Sequence, residues 1–211
     1  MTDIYAFGSI VSGDFDDGSD TDILVIEAPC DDNLYPTDWS VYTRERINEL
    51  YRRGTLFSWH IHLEATPLYS ASGRGYLESL GPPAPYTQAK NEIAALKSLA
   101  EVALSELAAG TPSSIYELGI LGVALRDIGM AASKPLNGNF CFSKKAPYFL
   151  KGIELPIKQS DYRHLINCRR ATTRGHQVDY DHSQRLQIVA LTDVILAWCG
   201  KVFTQVSGCE K

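Results

Sequence analysis

"YAFGSIVSGDFDDGSDTDILVI", residues 5–26, carries a Gly-Ser pair, five aspartates and an apolar run within 22 positions. Residues 3–7 and 22–28 are predicted strands, and the second is rich in Ile, Leu and Val, as a buried strand requires. Asp20 and Asp22 are two residues apart at the start of that strand, so we expect both side chains on one face. Adjacent carboxylates repel each other unless a cation lies between them, and their oxygen ligands suit Mg²⁺. The pair therefore predicts a magnesium site.

The residues before this pair are suited to holding phosphate. Gly8 and Ser9 follow the first strand, where glycine allows close approach of the backbone and free N–H groups can surround phosphate oxygens. Ser19 lies beside the proposed metal ligands and adds a hydroxyl. If the two strands pair, the phosphate-binding loop and the metal ligands converge. Asp14, Asp16 and Asp17 do not follow the glycine position of an EF-hand calcium loop, and we interpret them as solvent-facing.

The order Gly8-Ser9, Gly13, Asp20-Thr21-Asp22 and then Ile23-Leu24-Val25 resembles the signature of the polymerase-β-like nucleotidyltransferase superfamily. It is similar above all to the minimal and aminoglycoside nucleotidyltransferases. The resemblance covers about residues 4–64. It implies an α+β fold: a mixed sheet with helices, followed by a C-terminal helical bundle. It also implies Mg²⁺-dependent transfer of a nucleoside monophosphate, with AMP preferred, from a nucleoside triphosphate to an acceptor hydroxyl with release of pyrophosphate.

Relatives contribute a third carboxylate, which completes the metal site or removes the proton of the acceptor hydroxyl. Residues 56–64 alternate apolar and polar side chains, which predicts a strand whose polar face carries His60, His62 and Glu64. Glu64 is the only carboxylate there and is our candidate, with His60 or His62 as the alternative base. The His-x-His pair could also bind zinc, but no third ligand for it is evident.

Many relatives have an arginine in the Gly-Ser loop, but this chain has Ile10, Val11 and Ser12 there, so the cations for a triphosphate must come from elsewhere. Arg170 and Arg174 are four apart on one predicted helical face and are our first choice. Lys144 is the next cofactor-binding candidate. The others are Lys145, Arg126 and Arg169.

The rest of the chain is predicted to be largely helical. Residues 37–53 predict a helix, and "GPPAPY" at 81–86 marks a boundary between an α/β domain at 1–82 and a helical bundle at 83–211. "KPLNGN" predicts a turn. The predicted bundle helices span about 87–109, 113–133, 161–173 and 183–203.

Bulk properties favour a small ligand over nucleic acid. The net charge of −5 makes the chain as a whole a poor electrostatic match for nucleic acid. An RNA end or a protein remains open as the acceptor, beside a small molecule. Five scattered cysteines without CxxC spacing, and no visible secretory signal or membrane span, indicate a cytoplasmic protein. Protein partners that we consider are a second copy or a toxin.

Two other functions remain open. An uncertain third carboxylate is compatible with an antitoxin-like protein that binds nucleotide without transferring it. Arg170 and His176 loosely fit the Arg-x(4–6)-His motif of HEPN ribonucleases, although Gly175 interrupts the predicted helix before the histidine.

Overall fold

The structure is a computed structural model that describes residues 1–8, 11, 13, 22–27, 34–174 and 180–209. The chain divides into two compact units. The sheet unit consists of Met1–Gln88 together with Phe142–Lys144, and the helical unit consists of Ala89–Cys141 and Lys145–Lys211.

A four-stranded mixed sheet forms the centre of the sheet unit. Its strands are β1 (Asp3–Phe7), β2 (Asp22–Glu27), β3 (Ser40–Thr43) and β4 (Thr66–Ser70), in the order β3-β2-β1-β4. β1 pairs antiparallel with both β2 and β4, whereas β3 runs parallel to β2. The C-terminal end of β1 and the N-terminal ends of the other three strands therefore lie at one end of the sheet, which we call the β2-start end.

Residues of β2 are buried on both faces of the sheet. Leu24 and Ile26 belong to an apolar cluster with Tyr5 and Phe7, whereas Ile23 and Val25 pack on the opposite face. A continuous branched apolar run is what a strand covered on both faces requires.

Three helices pack on the Leu24 face: α1 (Arg44–Arg53), α2 (Leu56–Glu64) and α3 (Tyr76–Leu80). Their residues Ile47, Leu50, Ile61 and Leu77 complete the cluster there. Thr43 and Thr55 begin α1 and α2 because each side-chain oxygen accepts from the backbone N–H three residues later. Gly54 ends α1 in the left-handed conformation, at φ 58°.

Two sequence expectations in this unit are wrong. Residues 56–64 form α2 and not a strand, because Thr55 caps a first turn and Ser58 and Ile61, three apart, face the core. Residues 37–53 are not one helix: Trp39 N–H donates to Pro36 O in a turn, β3 follows, and the helix begins only at Arg44. The α+β class, with a mixed N-terminal sheet and a helical C-terminal part, is confirmed.

The helical unit contains long antiparallel helices. Its described elements are α4 (Ala89–Ala109), α5 (Ser114–Asn137), a 3₁₀ turn (Ala146–Tyr148), α6 (Gln159–Arg174), α7 (His182–Val189) and α8 (Thr192–Cys209). Gly119 and Gly122 let α6 approach α5 closely, because a Cβ at either position would meet the backbone of Arg169 or Leu165 at 2.9–3.0 Å.

Helix boundaries differ from the sequence expectation at two places. α5 continues through Pro135 to Asn137, so "KPLNGN" is only partly a turn. The predicted helix at 183–203 is two helices, α7 and α8, bent by 50° at their junction. Among the described helices none is individually long and apolar enough to cross a membrane, and the bent pair α7–α8 meets that test by length and composition alone.

Candidate functional site

Gly8 and Asp22 meet at the β2-start end of the sheet. Phe7 pairs with Asp22 in the antiparallel ladder, so Gly8 follows β1 where β2 begins. Gly8 has φ 75°, a conformation that favours glycine, and a Cβ at residue 8 would collide with the Asp22 carboxylate oxygen Oδ2. Glycine is therefore needed at position 8 both for its backbone conformation and for the space that the carboxylate uses.

Strand periodicity sets the direction of the Asp22 side chain. Asp22 shares its face of β2 with Leu24 and Ile26, which pack against Phe7. The carboxylate consequently lies on the helix-covered face of the sheet, at the β2-start end, and Asp22 is half-buried.

One part of the predicted metal site lies outside the described residues. Ser9, Ser19 and Asp20 all lie outside the described residues. The structure therefore describes only Asp22 of the metal pair and Gly8 of the phosphate loop. In the described ranges, no three His, Cys, Asp or Glu side chains are arranged to hold a metal ion. Asp22 itself fits Mg²⁺, since it is a half-buried residue whose carboxylate lies beside a backbone that no Cβ shields.

Glu64 lies at the β2-start end, although on a helix. It is the last residue of α2, two residues before Thr66, which pairs with Ala6 of β1. Helical spacing brings Glu64 next to His60, one turn earlier in the chain. His60 Nε2 and Glu64 Oε2 are 3.0 Å apart, and the two side chains are 18% and 23% exposed. The sequence expectation that His60, His62 and Glu64 share one face is therefore wrong, because His62 packs against the rings of Tyr51 and Trp59.

Aromatic rings fix the His60 imidazole. Phe142 stacks on it with ring centroids 4.3 Å apart and planes 17° apart, and Phe7 meets it edge-on at 5.4 Å. Because Phe7 pairs with Asp22, His60 and Glu64 lie beside the strand end that carries the aspartate. A histidine held in place by two rings and a carboxylate is oriented for proton transfer.

The predicted cations differ in their location. Lys144 belongs to the sheet unit with Gly8 and Asp22, through the segment Phe142–Lys144. Arg170 and Arg174 lie on α6 in the helical unit, and the Arg174 side chain is outside the described part of the chain. The structure thus groups Lys144 with the described site residues, and our first choice, the arginine pair, stays a prediction.

Asp38 is a carboxylate that sequence reasoning missed. It lies in the turn before β3, whose first residue Ser40 pairs with Leu24 of β2, and its side chain is exposed. Asp38 is therefore at the β2-start end, as Asp22 is. The signal in the sequence was the short run Ser40–Thr43 ahead of a Thr-capped helix, which we read as part of that helix.

Comparison with known families bears on the sheet unit alone. Residues 1–62 match the family model described as "Nucleotidyltransferase domain". Neither the comparison with curated proteins nor the one with solved structures finds a match to the chain. The matched residues contain Gly8, Asp22, Asp38 and His60 but end two residues before Glu64. Residues 1–62 of this chain are recognised as a nucleotidyltransferase domain, consistent with the polymerase-β-like superfamily.

Proposed function

We propose that this chain is a Mg²⁺-dependent nucleotidyltransferase that moves a nucleoside monophosphate from a nucleoside triphosphate to an acceptor hydroxyl. The observation that carries the proposal is the Asp22 carboxylate lying against the left-handed Gly8 at the β2-start end, inside the matched domain. Adenylation is the first reaction to test. Cytoplasmic location, homodimerisation and pairing with a toxin stay predictions from the sequence.

Different residues of the sheet unit would bind the metal and the triphosphate. Asp20 and Asp22 would hold Mg²⁺, which when bound neutralises phosphate charge and favours departure of pyrophosphate. The backbone at Gly8, with the hydroxyls of Ser9 and Ser19, would hold the triphosphate. Lys144 would add a cation, since it belongs to the same unit.

The proton of the acceptor hydroxyl needs a base. Glu64 paired with His60 is our first candidate, because the two side chains are 3.0 Å apart and partly exposed. If His60 donates Nε2–H to Glu64, its Nδ1 is free to accept the proton of the hydroxyl. The acceptor is a small molecule, a protein or an RNA end, and the net charge of −5 favours a cationic small molecule.

Pyrophosphate release tests the proposal directly. The chain is incubated with Mg²⁺, each of the four labelled triphosphates and a panel of acceptors, as wild type and as Asp22→Asn. The matched control is Asp193→Asn, an exposed aspartate in the first turn of α8. Release that depends on Asp22 but not on Asp193 supports the proposal, and equal release by all three proteins would overturn it.

A non-catalytic nucleotide-binding protein is the second candidate function, and a feature of the sheet favours it. β3 and β4, the described neighbours of β2 and β1, carry no Asp or Glu within Ser40–Thr43 and Thr66–Ser70. Such a protein would bind labelled ATP in equilibrium dialysis with Mg²⁺ yet release no pyrophosphate with any acceptor. For the ribonuclease alternative, Arg170 is on α6 and His176 lies outside the described residues.

A further inference from the structure

A cavity of about 320 Å³ opens in the helical unit where α4 ends and α5 begins. Gly110, Thr111, Ser114 and Ile115 line one side, and the start of α7, with His182 and Arg185, lines the other. All of these residues belong to the helical unit, so the cavity is separate from the proposed transferase site and does not depend on it. We call it the α5 cavity.

Arg185 brings a buried positive charge to the α5 cavity. The residue is 8% exposed, and its guanidinium donates from Nη1 to Leu107 O at 2.9 Å and from Nη2 to His182 Nε2 at 3.1 Å. Both acceptors are uncharged in this arrangement, because arginine only donates and the imidazole nitrogen must accept. The Nε donor of Arg185 is buried without an acceptor, and no carboxylate in the described part of the chain forms an ion pair with the group.

The N-terminal end of α5 adds donors to the same cavity. α5 is 24 residues long, and the Ser113 side chain at its N-cap accepts no backbone hydrogen bond. Ser114 Oγ instead donates to Thr111 O at 2.8 Å. The first N–H groups of a long helix carry partial positive charge, and Glu117 is an acidic residue in this first turn.

Asp181, four residues before Arg185, does not compensate its charge. Asp181 caps α7, where it accepts from the backbone N–H of Ser183 at 3.1 Å and from its hydroxyl. These hydrogen bonds to Ser183 hold the pKa of Asp181 below its ordinary value. The carboxylate is thus engaged in the capping box and forms no ion pair with Arg185.

We propose that the α5 cavity binds the phosphate group of a small phosphorylated ligand. A buried cation without a counter-charge is unfavourable, and an anion at this position would pair with it while accepting from the free N–H groups of α5. Phosphate supplies several acceptor oxygens around one charge, which matches donors converging from a guanidinium and a helix N-terminus. The concave shape and small volume favour a terminal phosphate of a small molecule over the backbone of a long nucleic acid.

Titration of the full chain with inorganic phosphate tests the proposal. ¹H–¹⁵N spectra are recorded without divalent metal, so that binding at Asp20 and Asp22 is not promoted. Saturable shifts are expected for the amides of Gly110, Thr111 and Ile115 and for the Arg185 Nε–H resonance. Shifts that do not saturate, or that spread over the whole surface, would overturn the proposal.

Arg185→Gln removes the charge and should weaken phosphate binding at least tenfold. Arg163→Gln is the matched control, since Arg163 is an exposed arginine on α6 and should leave the affinity unchanged. An equal loss in both variants would mean that net charge alone attracts phosphate, which contradicts a built site.

Ser113→Asp keeps the test valid if Arg185→Gln does not fold. A carboxylate at the N-cap of α5 competes for the same N–H groups, so the variant should weaken phosphate binding while the thermal midpoint stays unchanged or rises. Undiminished binding in this variant would overturn the assignment to the α5 cavity. Binding of a single-stranded oligonucleotide that inorganic phosphate fails to displace would also overturn it, in favour of a nucleic-acid surface.

Discussion

β2 begins and α2 ends at the β2-start end of the sheet. Each carries an acidic residue there, Asp22 in β2 and Glu64 in α2. β2 is a continuous apolar run and α2 alternates apolar and polar residues, so the sequence predicts a strand for both segments. β2 is a strand because Ile23 and Val25 are buried on one face and Leu24 and Ile26 on the other. α2 is a helix because Thr55 caps its first turn and Ser58 and Ile61 are its buried residues.

The difference between the two segments teaches which pattern is decisive. An alternation of apolar and polar residues over a short segment fits either structure, whereas a continuous run of Ile, Leu and Val fits a doubly covered strand. The consequence for the site is direct. Sheet register places Asp22 beside Gly8, and helical spacing places Glu64 beside His60.

Asp22→Asn is expected to have the largest effect. If the β2 carboxylate is a metal ligand, pyrophosphate release should fall by more than about a hundredfold, since loss of partners outside the ligand shell already costs 10–100-fold. Isothermal titration with Mg²⁺ and a non-hydrolysable triphosphate measures the loss of binding, with Asp193→Asn as control. Unchanged metal affinity would remove β2 from the metal site.

Gly8→Ala compares the backbone at the same end. A Cβ at residue 8 would collide with the Asp22 carboxylate, and an alanine there would have to adopt φ near 75°. We therefore expect the free energy of unfolding to fall by about 1–3 kcal/mol, together with loss of activity.

Gly13→Ala is the matched control, because Gly13 has φ 75° with nothing within 4 Å of a Cβ. Denaturant unfolding should show strain in both variants, but only Gly8→Ala should displace Asp22 and reduce metal binding. Equal metal binding in the two variants would contradict the role given to the Gly8–Asp22 contact.

Glu64→Gln tests whether the end of α2 contributes a base. General-base catalysis typically supplies 10²–10⁴-fold, so kcat should fall within about that range. His60→Gln should also lower kcat, because His60 is the partner of Glu64.

Asp38→Asn is the comparison for Glu64→Gln, since Asp38 lies at the same end of the sheet before β3. A larger loss of kcat in Asp38→Asn than in Glu64→Gln would transfer the role of third carboxylate to Asp38. Full activity in Glu64→Gln would show that α2 provides no base.

Thr55→Ala should have the smallest effect. Its side-chain oxygen accepts from Ser58 N–H at 3.1 Å, and loss of such a cap costs about 0.5–2 kcal/mol. Thr43→Ala removes the equivalent cap of α1, where the oxygen accepts from Arg46 N–H at 3.1 Å. Both variants should lower the thermal midpoint by similar amounts. No change in Thr55→Ala alone would argue against a helix at Leu56–Glu64.

Much of the fold could be predicted from local patterns. β1 and β2 were predicted almost to the residue, and α4 and α6 to within two residues, because their apolar periodicity extends over their full length. β3 could not be predicted, since Ser40–Thr43 is short and lacks a clear pattern of its own. It is a strand because it pairs with β2 and because Thr43 begins the next helix.

The candidate site was predicted from spacing along the chain and from the resemblance to a family. Gly8, Asp20 and Asp22 were chosen in this way; the structure describes Gly8 and Asp22 side by side, and the roles of all three residues stay predictions. The surroundings of Glu64 were not predictable, because its partner depends on whether residues 56–64 form a helix or a strand. Neither was the grouping of Lys144 with the sheet unit, since Lys144 lies 74 positions after Ser70, the end of the last strand of that sheet (144 − 70).

The sequence by itself determined the class of fold, the buried identity of β2 and the acidic residues at its start, because these follow from residue type and spacing along a short segment. Only the tertiary structure decided that Asp22 lies against Gly8, that His60 pairs with Glu64 beside Phe142, and that Arg185 is buried with no described carboxylate in an ion pair with it. Each of these depends on contacts between segments far apart in the chain, which local periodicity does not encode.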